Sequence, residues 1–370
     1  MRKKLAIAIT SPISIVLLKG QLNYFSELGY EVILICPKNE KSEEFAVVEN
    51  VKLIPVNFFR EINLFHDLLC LFKLIKILWR EKPDIVNAGT PKASLLTLIA
   101  AYVTGVNKRI YTCRGLRFED ESGAKKRLLI AMEKITAFCA HSIICISASV
   151  MKKAIDEKTF PKKKTLVLGK GSSNGIDLDY YNPTSITKID NLHYKNNDTV
   201  FGFIGRFIER KGVNELVKSF VQISENKTKL LMVGGYDESQ LPEDEVCNYI
   251  DNHEQIIKVG WVEDIRSYLK AIDVLVLPAY WEGFGNVLIQ AAAFGIPVIA
   301  TKVSGCMDAV KDGFNGTLIE PKDDVALAET MLLYLNNREI RDVHGKQGKV
   351  WVQNFRQELV WNEMHKFYEG

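Results

Sequence analysis

The chain is predicted to be an α/β protein of two Rossmann-like domains, each built on a parallel sheet. Three observations point there. Short β-type apolar runs alternate with helical stretches throughout, as strands joined by right-handed crossover helices do. The 370 residues are enough for two cores. A Ser/Asn/Gly/Pro-rich stretch over residues 169–187 interrupts the alternation, as an interdomain connection would.

The first apolar run, residues 5–9, follows the basic start MRKK and so imitates a secretory signal. Thr10, Ser11, Pro12 and Ser14 cut it short, and no small-x-small cleavage site follows. It reads better as a first strand, with a helix from about Leu17. Six more strands are expected at 32–36, 51–56, 85–88, 109–112, 142–146 and 165–168. A second set falls at 200–204, 230–233, 256–259, 274–277, 298–301 and 316–319. Between them, residues 64–78 (LFHDLLCLFKLIKIL) form a helix whose apolar positions exceed one narrow stripe. A core helix is the default reading. With Lys73, Lys76 and Arg80 added, a membrane-facing basic helix is the alternative. Near the end, Trp351, Phe355, Trp361 and Phe367 have the helical spacing of one buried stripe. No apolar run reaches the ~20 residues of a membrane span.

Composition narrows the class. Seven Cys, an odd number with no C-x-x-C, argue against a disulfide framework or a zinc site and fit a reducing cytosol. The six His are scattered, and none pair at ligand spacing. The formal net charge of +3 hides an asymmetry. Residues 1–190 carry 29 Lys+Arg against 19 Asp+Glu, a balance of +10, and the remainder 19 against 26, a balance of −7. The basic half suggests an anionic partner, although an unevenly charged solvated surface gives the same numbers. Nucleic acid is one such polyanion, but no aromatic-basic motif supports it.

The most informative segment is 278–297, PAYWEGFGNVLIQAAAFGIP. An apolar strand runs into Glu282, then a Gly-Phe-Gly turn, then an apolar helix over 286–294. A strand-turn-helix of this kind gathers free backbone N–H groups and the positive helix end at one point, which suits a phosphate. Glu282 suits hydroxyl groups, because an ionised carboxylate only accepts hydrogen bonds. Upstream, the strand over 199–204 ends in GRFIERKG, so Arg206 and Lys211 lie at its carboxyl end, where ligands of open α/β sheets sit. Two cations there neutralise a diphosphate, Arg as a fork and Lys as a point charge. Phosphate plus hydroxyls points to a sugar nucleotide. Gly234-Gly235 permits close backbone approach but is no G-x-G-x-x-G, so a nicotinamide site has no support.

These motifs, strand-G-R-x(4)-K-G and later E-G-F-G-N-V-L-I-Q-A, resemble the retaining glycosyltransferases of family 4, over nearly the whole chain. GKGSSNGIDL (169–178) and YTCRGLRFE (111–119) are most similar to the bacterial capsule and surface-glycan branch. The resemblance implies the GT-B fold: two Rossmann-like domains facing a cleft, residues 1–172 and 173–351, with a C-terminal helix, 352–370, crossing back to the first. It implies front-face attack, which needs no protein nucleophile and no metal, so catalysis rests on stabilising the departing diphosphate and aligning the acceptor. By resemblance Arg206 and Lys211 hold the diphosphate. The backbone around Gly283, Phe284, Gly285, Asn286 and Val287 caps it, and Glu282 contacts sugar hydroxyls. Gly234, Trp261 and Val262 line the nucleotide, although Trp261 could equally be a packing residue. The family carries a second Glu, separated from the first by seven residues, on the ribose. Here Gln290 stands there, an acceptor through its carbonyl oxygen but a weaker one.

The first domain is expected to carry the acceptor, at the strand ends holding Ser11 and Ser14, Thr90 and Lys92, and Arg114 and Arg117. Many relatives have His near Arg114. An arginine cannot be a general base near neutral pH, so a phosphate contact is expected instead. Capsule-type relatives use acceptors on polyprenyl diphosphate, at the inner membrane face. The basic clusters of the first domain, Lys162-Lys163-Lys164 among them, fit an anionic lipid surface. The full expectation is a cytosolic, peripheral, cofactor-free transferase using a UDP-linked sugar. The alternatives are a sugar-nucleotide epimerase of the same fold and an inactive sugar-nucleotide-binding subunit.

Overall fold

The computed structural model describes residues 2–370 apart from 60–62, 188, 190–197, 225–226 and 239, and apart from the side chain of Asp120. The chain divides into two compact units, Met1–Gly175 with Gln357–Gly370, and Ile176–Arg356.

The first unit holds a parallel sheet of β1 (Lys4–Ala8), β2 (Glu31–Cys36), β3 (Lys52–Pro55), β4 (Ile85–Ala88), β5 (Lys108–Cys113), β6 (Ser142–Cys145) and β7 (Thr165–Val167), in the order β3-β2-β1-β4-β5-β6-β7. Side chains alternate across it. On β1, Leu5 and Ile7 join one core with Phe25 and Tyr368, while Ala6 and Ala8 join the other with Leu74 and Leu98. Both faces are covered, which is why these strands read as continuous apolar runs rather than alternating ones.

The second unit repeats the plan with β8 (Thr199–Ile204), β9 (Thr228–Val233), β10 (Ile256–Val259), β11 (Val274–Leu277), β12 (Val298–Thr301) and β13 (Gly316–Ile319), ordered β10-β9-β8-β11-β12-β13 and again parallel. All thirteen expected strands are present, within one or two residues at each end. The start of the chain is less regular than expected: a 3-10 helix, Pro12–Leu18, precedes the helix Gln21–Glu27.

The C-terminal aromatic stripe requires correction. It does not lie on one helix. Helix Arg338–Trp351 and the 3-10 turn Val352–Phe355 belong to the second unit, Arg356 is extended, and helix Gln357–Glu369 belongs to the first. The break is held where the Ile176 N–H donates to the Phe355 carbonyl (2.7 Å). The aromatics divide accordingly. Phe355 stacks edge-on with Phe284 at 5.3 Å, and the Trp351 indole donates to the Ala309 carbonyl. Trp361 packs on Tyr24 and donates to Asn174 at 2.7 Å.

All seven Cys are free thiols. One buried acid carries a testable consequence. Glu133 accepts from the Tyr111 hydroxyl at 2.9 Å inside the first unit, and burial pushes its carboxyl from 4.5 up to about 7. The folded state therefore keeps this proton after the unfolded chain has lost it. Its contribution is fully present below about pH 4, near the unfolded value, and is lost as pH rises through 7. The thermal midpoint of the wild type is expected to fall over this window. Glu133→Gln should flatten that part of the profile and raise the midpoint at pH 8. An unchanged slope in the variant would assign the fall to other groups.

Candidate active site

In the second unit the strand order reverses between β8 and β11. The carboxyl ends on either side of such a reversal frame the crevice where ligands bind. The loop after β8 carries Arg206 and Lys211, and the loop after β11 carries Glu282 and the helix Asn286–Phe294. The residues singled out in the sequence thus flank one switch point.

Their side chains are engaged in pairs. Lys211 and Glu282, both largely buried, form an ion pair across the switch point. Arg206 donates to Asp237 at 2.6 Å, and this pair is half-exposed. The two loops are also tied by backbone, with the Tyr280 N–H donating to the Arg210 carbonyl at 2.9 Å. The Glu282 N–H also donates to the Ser304 carbonyl, in the loop after β12, at 3.2 Å.

Helix Asn286–Phe294 starts at Gly285, in the left-handed region at φ 68°, with no side chain capping it and no acid in its first turn. Its positive end is left for an anion. The Phe284 ring is buried against Phe355, so only its backbone belongs to the turn. Glycine is required at two places here. A Cβ on Gly234 (φ +141°) would overlap the Gly205 carbonyl, and one on Gly305 (φ +77°) would overlap the Gly283–Phe284 backbone.

Gln290 lies one turn into the helix. Its amide nitrogen donates to the Tyr181 hydroxyl at 2.8 Å. The carbonyl oxygen remains the acceptor that the ribose role calls for. Beyond β10, Trp261 is 66% exposed, with its indole nitrogen directly over Gly235. Burial in a core does not explain it. Val262 beside it is half-buried.

The first unit has its own reversal, between β1 and β4. There the Thr10 and Thr90 hydroxyls share a 2.7 Å bond, and Thr90 also accepts from the Thr10 N–H. Ser11 caps the 3-10 helix, and Ser14 is half-buried within it. Arg114 is anchored by Nη1 on the Gly89 carbonyl at 2.5 Å and by Nε on Ser173 Oγ at 2.7 Å. Burial lowers its guanidinium to about 10, so it remains a cation near neutral pH. Arg117 is exposed nearby.

Lys92 is placed differently from a surface phosphate ligand. It is buried, and its ammonium is held by both oxygens of Asp67, at 2.8 and 3.0 Å. Lys164 likewise turns inward, donating to the Ala140 carbonyl at 2.9 Å beyond the end of helix Gly123–Cys139. Lys162 and Lys163 remain exposed.

Three residues join the site that the sequence reading omitted. Asp237 and Gly305 follow the ends of β9 and β12, so the rule that locates Arg206 also reaches them. Tyr181 follows no strand and carries no local signal.

Comparison with known proteins fits this geometry. Residues 185–351 match the family model for glycosyl transferases group 1, and residues 18–180 match that for glycosyltransferase family 4. The chain is 35% identical to the capsular polysaccharide biosynthesis glycosyltransferase CapM of Staphylococcus aureus, over 99% of this chain and 97% of that protein. It is 30% identical to the UDP-Gal:alpha-D-GlcNAc-diphosphoundecaprenol alpha-1,3-galactosyltransferase of Escherichia coli, over 80% of this chain and 77% of that one. Among solved structures, Anabaena HepE in complex with UDP and glucose superposes with a TM-score of 0.83, covering 100% of both chains at 17% identity, a likeness of fold.

Proposed function

We infer function from one premise: this chain belongs to the family 4 and group 1 glycosyltransferases, and is an enzyme of the GT-B fold. The proposed reaction is retaining transfer of a sugar from a UDP-linked donor to a lipid-linked glycan acceptor, in capsule or surface polysaccharide synthesis, at the inner face of the membrane. The observation that carries the reading is the Lys211–Glu282 pair at the β8/β11 switch point, beside Arg206 and an uncapped helix start. Relatives support the finer terms. The E. coli relative is named for a UDP-sugar and a diphosphoundecaprenol acceptor, and the S. aureus relative for the capsule.

In this mechanism the acceptor hydroxyl attacks the anomeric carbon from the face that the diphosphate leaves. The new C–O bond forms as the bond to the diphosphate breaks, and the acceptor's proton passes to the departing diphosphate oxygen. Arg206, Lys211 and the amides at Asn286 and Val287 stabilise the negative charge that develops there, so no metal is required. Glu282 orients the sugar hydroxyls, Gln290 and the Gly234 turn hold the nucleoside, and Trp261 and Val262 cover the base. In the first unit, Arg114 binds acceptor phosphate, with Ser11, Ser14, Thr90 and Arg117 about it.

The test is calorimetric titration with UDP, GDP and TDP and their sugars, followed by a transfer assay with the preferred donor. UDP should bind most tightly. Gln290→Ala should weaken UDP binding by about 1–3 kcal/mol, the cost of an unpaired polar partner, and Gln290→Glu should preserve or strengthen it. UDP binding unchanged in Gln290→Ala would remove the ribose role. Absence of transfer with every donor would remove the enzymatic reading.

A further inference from the structure

The second unit has a cavity at the end of its sheet opposite the switch-point loops. About 740 Å³ in volume, it lies where β9, β8, β11 and β12 begin, with Thr199, Asp273 and Pro297 in its wall. Helix Arg338–Trp351 forms the other wall. Sugar transfer as described above uses nothing at this end of the sheet.

The helix turns one side toward the cavity. Arg338, Arg341, Asp342, Gly345, Lys346 and Lys349 recur at the three- and four-residue spacing that aligns side chains along a helix. A helix face turned toward a sheet is normally apolar. This one is cationic. Its position is fixed by close packing on the end of helix Asn286–Phe294: a Cβ on Gly345 would overlap the Gly295 carbonyl, and one on Gly295 would overlap the Lys349 side chain.

The sheet edge adds Lys227, whose carbonyl accepts from the Thr199 N–H at 2.9 Å, and Lys270. Six of the 19 Lys+Arg in residues 191–370 thus line one cavity, in a stretch whose overall balance is −7. Three acids line it as well, leaving a local balance of +3. Of these, Asp273 accepts the Val200 N–H at 2.8 Å, and Asp342 stands 3.8 Å from Arg338. Lys270 donates to the Pro183 and Ile186 carbonyls, at 3.1 and 2.6 Å, neutral partners that leave its charge uncompensated. Lys227, Lys346 and Lys349 are exposed and have no acidic partner among the described residues. Like charges gathered around a concave surface repel one another and concentrate a positive potential there, which a bound anion relieves. Cations on two walls match two phosphates held apart by a carrier, Lys as a point charge and Arg as a fork.

We propose that this cavity is a second anion site, taking a small molecule with two separated phosphates, such as a sugar bisphosphate. It is independent of the donor reading. UDP is assigned to the carboxyl ends of the same strands, so the two ligands occupy opposite ends of one sheet and do not compete.

The experiment is calorimetric titration of the full chain with fructose 1,6-bisphosphate, inorganic diphosphate and glucose, at two salt concentrations, with and without saturating UDP. The bisphosphate should bind more tightly than inorganic diphosphate, and more weakly as salt rises. Glucose should not bind. UDP should leave the bisphosphate affinity unchanged. Lys346→Ala with Lys349→Ala, and separately Lys227→Ala with Lys270→Ala, should each weaken bisphosphate binding at least ~10-fold, with UDP affinity unchanged. Lys211→Ala should leave bisphosphate binding intact. Thermal midpoints check folding, and if the Lys270 pair fails to fold, the helix pair decides alone. Absence of bisphosphate binding, equal or tighter binding of inorganic diphosphate, displacement by UDP, weakening by Lys211→Ala, or undiminished binding in the helix pair would each overturn the proposal. Bisphosphate binding without UDP binding would leave this site standing and remove the donor reading.

Discussion

Arg206→Ala and Lys211→Ala are each expected to lower sugar transfer by at least ~10²-fold, the size of a lost donor to developing negative charge. Both should fold. Arg206 is half-exposed and joins the structure through one ion pair, a small term for a partly solvated pair. Lys211 is more enclosed, and its removal leaves Glu282 largely buried with no cation, so some loss of thermal stability should accompany the kinetic loss. That asymmetry separates the two roles. Arg206→Lys restores charge without the fork and should recover only part of the rate. Steady-state kinetics and thermal melting on the three variants check this. Near-wild-type turnover in either alanine variant would remove the residue from the leaving-group site.

The strands were legible because buried parallel sheets demand continuous apolar runs. Residues 274–277 and 298–300 are apolar and buried on both faces, and their neighbours supply turn residues. The donor motif was legible for a related reason: strand, turn and helix are consecutive in the chain, so Glu282, Gly285 and the helix at Asn286 sit in one readable segment. Pairings between loops were not. Arg206 meets Asp237, Gln290 meets Tyr181 and Lys92 meets Asp67 only because the folded chain brings segments distant in sequence together, and no local spacing encodes which side chains then touch. The terminal stripe failed for the opposite reason. Helical periodicity persists through Arg356, and a single extended residue is invisible to a pattern that averages over turns.

Glu282→Ala is expected to lower transfer about 10- to 100-fold while leaving free UDP bound. The range corresponds to losing a charge-assisted hydrogen bond to the sugar, where each ~1.4 kcal/mol is tenfold. Glu282 stands at the switch point with its backbone pinned to Ser304 and its carboxylate on Lys211, so its position survives changes in the sugar. Removing the carboxylate deletes the acceptor for sugar hydroxyls and also releases the Lys211 ammonium. A free ammonium has more of its charge available to a diphosphate. UDP affinity in Glu282→Ala should therefore be equal to or tighter than wild type, while UDP-sugar loses the advantage it holds over UDP. Glu282→Gln keeps an acceptor oxygen without charge and should fall between. Titration of UDP and UDP-sugar into wild type and both variants, with transfer rates alongside, distinguishes these outcomes. If Glu282→Ala also loses free UDP, the carboxylate serves the fold of the nucleotide site rather than the sugar, and the division of roles between Glu282 and Gln290 fails.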